Sequence, residues 1–280
     1  VPSSWPRRTF LRSTAVAGLG LALATTFPHR AAAATTTDPF ATVRAQWADL
    51  TSGGAIDATN PVYATALANL SAKATTYLSL LEASSTSAQL FSDLALGTNS
   101  ANVTASFNRL ETLALAYVTP GTAYSGNASV LADVIAGLDF LTALAYSASG
   151  GLPTYGYGNW WDWEIGAPQS LLDTANLVYS SLTANQIANH CAAVDHFVPD
   201  PTLLPQASGT TVSTGANRLD LCRVVIIRGA LGEDGSKIAQ GVAGISPTLA
   251  FTAGPPGSYA DGLYADGSFL QHGGTGYTGT

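Results

Sequence analysis

The segment SANVTASFNRLETLALAYVTP places Val103, Phe107, Leu110, Leu113 and Ala114 on one side of a 3.6-residue repeat and stops at Pro120. The same period returns along most of the chain, and this recurrence is its strongest folding constraint. An amphipathic helix must bury its apolar stripe against another element. FATVRAQWADLTSG sets Phe40, Val43, Trp47 and Leu50 on one face and ends at Gly53-Gly54. Asn60 is a cap for the next helix, with Pro61 at its first position. SGNASVLADVIAGLDFLTALAY follows at 125–146. PQSLLDTANLVYSSL and TANQIANHCAAVDHFVP form a pair split by a polar turn at 180–183. TGANRLDLCRVVIIRGALG and DGSKIAQGVAGISPTL form another, parted by Gly232-Glu233-Asp234-Gly235. Val224 to Ile227 is a β-former run, but its flanks suit a helix. About eight helices and few strands result. Helices arriving in pairs predict an all-α array of α/α hairpins closing toward a toroid, one layer inward and one outward. The Gly-rich links at 148–166, 205–216 and 252–280 are where functional groups are expected.

Of the 280 residues, 46% are apolar and only 10% charged, with 11 basic residues against 18 acidic. That balance argues against nucleic acid as a partner, because phosphate contacts need a basic footprint. Residues 1–34 differ from the rest. WPRRTFLR is a basic segment, STAVAGLGLALATTF a hydrophobic run too short to span a bilayer, and PHRAAAA a small-residue cleavage zone. Arg7-Arg8 with Phe10-Leu11 resembles a twin-arginine export signal. The expectation is a secreted protein with no membrane anchor after cleavage. Losing the four arginines of 1–34 leaves 7 basic and 18 acidic residues, a net charge of about −11. Cys191 and Cys222 sit in apolar, helix-like surroundings and read as buried free thiols rather than a bridge. CxxC, HExxH and P-loop patterns are absent, and His190 and His196 have only Asp195 nearby. No metal site and no cofactor are expected.

Three links carry the chemistry. In GNWWDWEIGAP the rings of Trp160 and Trp161 are adjacent, so both cannot enter one core; Trp163 follows among Asp162 and Glu164. Indole faces beside carboxylates and amides suit sugars, whose C–H faces are apolar and whose hydroxyls need partners. A tryptophan plug against the helices is the bland alternative. Glu164, just before the next helix, has a structural role tying down loop N–H groups. The second link ends in TGANRLDLCRVV, where Asn217 opens a helix and Arg218, Arg223 and Arg228 make the most basic stretch. Asp220 and Arg223 have the spacing of a surface pair. In the third, His272 stands between Phe269-Leu270 and a glycine run, a candidate base near neutral pH.

NWWDWEIG, TGANRLD, VIIRGALGEDG and DGSFLQH, in this order, resemble the signature blocks of the polysaccharide lyases that include hyaluronate, chondroitin AC and xanthan lyases. The resemblance implies an incomplete α/α toroid over 35–280, with that family's β-sandwich domains outside the sequence. It implies β-elimination on an anionic, uronate-containing polysaccharide by a monomer, hyaluronan or chondroitin ahead of xanthan. Asn217 would then bind and polarise the uronate carboxylate and His272 would help take the C5 proton. Trp160 and Trp161 would stack on the chain, with Asn159 and Arg218 as further substrate contacts. In that family the catalytic tyrosine follows the histidine by nine positions, at 281 here, and the sequence stops at Thr280; Tyr277 matches a preceding, non-catalytic tyrosine. The expectation is therefore a fragment, poorly stable or inactive alone. Two rivals remain open: a toroidal glycoside hydrolase using Asp162 or Glu164 among paired carboxylates, and a non-catalytic carbohydrate binder using the tryptophans alone.

Overall fold

A computed structural model describes residues 38–82, 88–149, 157–204, 211–252, 260–272 and 275–276. The export signal expected over 1–34 lies outside the described residues, as do Tyr155 and Tyr277. Eight α-helices occur among the described residues: α1 Ala41–Ser52, α2 Ala64–Leu80, α3 Ser100–Val118, α4 Ala128–Leu144, α5 Ala167–Leu177, α6 Ala184–Phe197, α7 Gly215–Leu231 and α8 Gly235–Ile245. None is long and apolar enough to cross a membrane.

The helices begin where short polar side chains satisfy first-turn N–H groups. Asn60 caps the 3₁₀ turn Pro61–Tyr63 that leads into α2, with Pro61 at its first position. Asn99 and Asn127 cap α3 and α4, Thr183 and Gln186 form a capping box on α6, and Asp234 caps α8. Burial sorts the helices into two layers. In α3, Val103, Phe107, Leu110, Leu113 and Ala114 are all fully buried, as their period predicts. α3 packs on α5 and α5 on α7, so these three form the inner row. α2 and α4 flank α3, α6 flanks α5 and α7, and α8 lies along α7. This is the expected α/α arrangement, and Val224 to Ile227 are helical within it.

Two sequence expectations change. On α1 the buried residue is Arg44, while Leu50 is 75% exposed. The Arg44 guanidinium pairs with Asp38, donates to the carbonyl of Ala230 at 2.9 Å and lies 3.9 Å over the Tyr179 ring. A charge so compensated can be buried, and it ties α1 to the end of α7. The links at 205–216 and 252–280 also border short strands. β1 (Leu203–Leu204) pairs antiparallel with β2 (Thr211–Val212). β3 (Gly262–Leu263), β4 (Phe269–Gln271) and β5 (Thr275–Gly276) form a three-stranded antiparallel sheet. Strands of two or three residues are too short to print an alternating pattern.

Cys191 and Cys222 are free and buried, and burial pushes both thiols up to about 11. His190 of α6 is fully buried against α4, with Nδ1 3.4 Å from the Thr142 hydroxyl and Nε2 4.0 Å from Asp139. Burial lowers its pKa from the ordinary 6.5, opposed by the Asp139 charge. Above 6.5 the imidazole is neutral folded or unfolded and contributes no pH dependence. Below it the unfolded chain takes a proton that the folded one resists, so stability declines until the pH reaches the folded value. Thermal melts across this range should show that decline, and His190→Gln should flatten it; an unchanged slope would remove His190 as its cause.

Candidate active site

The aromatic segment is held by α3. The Asp162 carboxylate accepts from Ser100 Oγ at 2.6 Å and from Thr104 Oγ1 at 2.8 Å, two hydroxyls one helical turn apart. Ser100 Oγ also accepts from the Asn159 N–H at 2.8 Å, and the Asn159 amide oxygen accepts from the Trp161 N–H at 3.1 Å. Asn159 therefore caps the helical turn that Trp160 begins. Residues Asp162–Gly166 form a π-helical turn running directly into α5. π turns are rare and recur at functional sites. The segment expected to be irregular is thus helical from Trp160 on, and Glu164 lies inside it, fully buried, rather than ahead of a helix.

That turn divides the three tryptophans. Trp163 is fully buried; its Nε1 donates to the carbonyl of Tyr157 at 3.1 Å, and its ring stacks on Phe197 and Tyr146 at centroid distances of 5.4 and 6.4 Å. Trp160 is half-buried against the core, and Trp161 remains 38% exposed. The ring of Trp161 rests over Gly166, five residues on, where an added Cβ would come within 2.5 Å of Cζ3 and 2.8 Å of Thr104 Cγ2. Trp163 and Glu164 are supports, as expected. Asp162 and Glu164 are 6% and 0% exposed, so neither is presented to a glycosidic oxygen.

Asn217 and His272 come from different elements joined by a hydrogen bond between their immediate neighbours. Asn217 stands in the first turn of α7, half-buried. His272 follows β4, exposed, with a left-handed φ of 55°. The Ala216 N–H donates to Gln271 Oε1 at 2.7 Å. Near this joint lies a pocket of about 410 Å³ edged by Thr214, Gly215, Arg218, Phe251 and Asp261.

The arginines have internal partners. Arg218 is 8% exposed and donates to Ser213 Oγ at 2.6 Å and to the carbonyls of Thr202 at 3.2 Å and Gly244 at 3.4 Å. Its geometry is that of a strut whose side chain also borders the pocket beside Asn217. Arg223 pairs with Asp173 of α5 and lies 5.0 Å over Trp47, while Asp220 accepts from Gln169 Nε2 and feels the Arg223 charge without a direct ion pair to it. Burial raises the Asp173 carboxyl pKa, opposed by Arg223, and burial also raises that of Glu111 nearby on α3. Arg228 pairs with Asp195 and Asp234. Among the described residues no group of three or more His, Cys, Asp or Glu is placed to hold a metal.

A model of polysaccharide lyase family 8, N terminal alpha-helical domain, matches residues 47–280. The chain belongs to this family. It is 38% identical over 280 residues to a hyaluronate lyase of Thermasporomyces composti, covering 99% of this chain and 33% of that protein. It is 35% identical to a xanthan lyase of Bacillus sp. strain GL1, covering 86% of this chain and 24% of that one. The solved chondroitin AC lyase of Streptomyces coelicolor A3 in complex with chondroitin sulphate superimposes with a TM-score of 0.75 at 40% identity, covering 87% of this chain and 31% of that one. The chain thus spans about a third or less of the length of these relatives.

Within this family 8 helical domain, Ser100, Thr104 and Gly166 had no signal in the sequence. Ser100 and Thr104 reach Asp162, and Gly166 meets Thr104, across some sixty residues of chain. Gly166→Ala should cost about 1–3 kcal/mol through overpacking against Trp161 and Thr104, read by urea unfolding, and should shift tryptophan emission. Asp162→Ala, which strands two hydroxyls, should cost a similar amount. Wild-type stability in both variants would mean that the turn does not depend on this anchor.

Proposed function

We propose that the chain supplies the aromatic platform and two catalytic groups of a polysaccharide lyase acting on uronate-containing polymers. The observation that carries this reading is the Ala216–Gln271 hydrogen bond, which sets Asn217 and His272 beside one joint. In the proposed reaction the uronate carboxylate is bound by the Asn217 amide. The first turn of a helix suits this, because its N–H groups and macrodipole favour an anion. His272 takes the C5 proton; the negative charge spreads onto the carboxylate, where the Asn217 hydrogen bond stabilises it. The C4–O4 bond then breaks, O4 leaves with a proton from an acid not assigned among the described residues, and a C4–C5 double bond forms. Trp161, exposed and braced on Gly166, stacks on the polymer beside Trp160, with the exposed Asn159 at the head of the same turn.

Hyaluronan and chondroitin are the leading substrates, since relatives that resemble this chain are named for them, and the xanthan lyase relatives keep xanthan in view. The reading includes a secreted monomer released by its twin-arginine signal. An acidic enzyme can hold an anionic polymer when the contact is a local helix N-terminus and an amide rather than a broad charge field.

The test is ultraviolet absorbance of unsaturated uronate from hyaluronan, chondroitin and xanthan. His272→Ala should lower kcat about 10²–10⁴-fold and Asn217→Ala about 10²–10³-fold. Trp161→Ala should raise KM more than it lowers kcat. Cleavage products lacking the C4–C5 double bond would replace elimination with hydrolysis, and full turnover by His272→Ala would remove the base.

A further inference from the structure

We infer that Gln271, with Asp261 behind it, is the positioning residue that keeps Asn217 and His272 in register, an inference that rests on the elimination reading. The first-turn N–H groups of α7 lack acceptors within the helix. Its N-cap, Thr214, makes no side-chain cap; the Thr214 hydroxyl donates instead to Asp261 Oδ2 at 2.7 Å. The cap comes from β4, fifty-five residues later, where Gln271 Oε1 accepts from the Ala216 N–H. The other end of the same amide, Nε2, donates to Asp261 Oδ2 at 2.8 Å. Gln271 is 1% exposed, so both halves of its amide work inside the protein.

This joint needs an amide. A carboxylate would accept from Ala216 but would have nothing to donate to Asp261, and an amine or hydroxyl could not span both with the same geometry. It also needs Gly215, which has φ 52°; an added Cβ there would stand 2.1 Å from Gln271 Oε1 and 2.9 Å from Asp261 Cβ. Each residue of the bonded pair precedes a candidate catalytic one. His272 holds a left-handed backbone immediately after the fixed Gln271, a conformation that persists only where its surroundings determine it. In elimination the carboxylate and the departing proton are on the same carbon, C5. Their two binding groups must therefore keep one spacing, and a misplacement of about 1 Å can cost about 10²-fold.

The experiment compares Gln271→Glu, the exchange variant Gln271→Glu with Asp261→Asn, and Gln271→Leu in the intact protein. Gln271→Glu keeps shape and the acceptor but sets two carboxylates against each other; kcat should fall about 10²-fold with KM nearly unchanged. The exchange variant restores a donor facing an acceptor with the same net charge, and should recover most of that loss. Gln271→Leu removes both bonds without adding charge and keeps the test open if Gln271→Glu does not fold; its kcat should also fall. Deuterium exchange at the Ala216 amide and the imidazole shifts of His272 are read on the same proteins without substrate. Faster Ala216 exchange and a moved His272 signal in Gln271→Leu, both reversed in the exchange variant where Gln271→Glu shows them, support the coupling. Unchanged kcat in Gln271→Glu and Gln271→Leu, or unchanged Ala216 and His272 signals, overturns it. If the unsubstituted protein releases products without the C4–C5 double bond, the elimination reading fails instead, and the two substrate-free readouts still decide the coupling.

Discussion

One carboxylate orients everything exposed in the aromatic segment. Asp162 is bonded by two hydroxyls that α3 presents one turn apart, and a buried carboxylate without such partners would carry a heavy desolvation cost. Around that point Asn159 caps the turn, the turn widens to a π turn, and Trp163 enters the core. What remains for the surface is the face of Trp161. The platform is therefore an extension of the inner helix row rather than a mobile loop laid over it.

The same logic holds at the other end of the site. The basic stretch of α7 suggests a field for an anion, yet each arginine is directed at the protein: Arg218 to the β1–β2 region, Arg223 to α5, Arg228 to α6 and α8. These pairs hold α7 in place against its neighbours. The N-terminus of α7, with its first-turn N–H groups and the positive end of the helix dipole, is then the part of this helix left to favour an anion.

Much of this was legible in the sequence, for physical reasons that differ by element. The face of α3 was readable because five residues at helical spacing all enter one core, and the caps at Asn60 and the turn at 232–235 are local chemistry. That Trp160 and Trp161 cannot both enter one core followed from adjacency, since successive helical positions point about 100° apart, whereas setting both apart from Trp163 came from the family resemblance. Arg44 misled the reading of α1, because burial of a guanidinium depends on Asp38, Tyr179 and a carbonyl of α7 that no local pattern reveals. Ser100, Thr104 and Gln271 were silent for the same reason: their partners are distant in the chain, and a serine or glutamine acquires its role only when the fold brings an acceptor to it.

The two thiols carry a practical consequence. Cys191 and Cys222 are the chain's only cysteines, both are buried, and both hold their protons far above neutrality. Alkylating reagents attack the thiolate, so the native molecule offers them almost no target. A single cysteine introduced on the outer surface would be the one nucleophile that a maleimide dye or spin label finds. Distances between the tryptophan turn and the N-terminus of α7 thus become measurable in solution without first stripping the protein of its own sulfur.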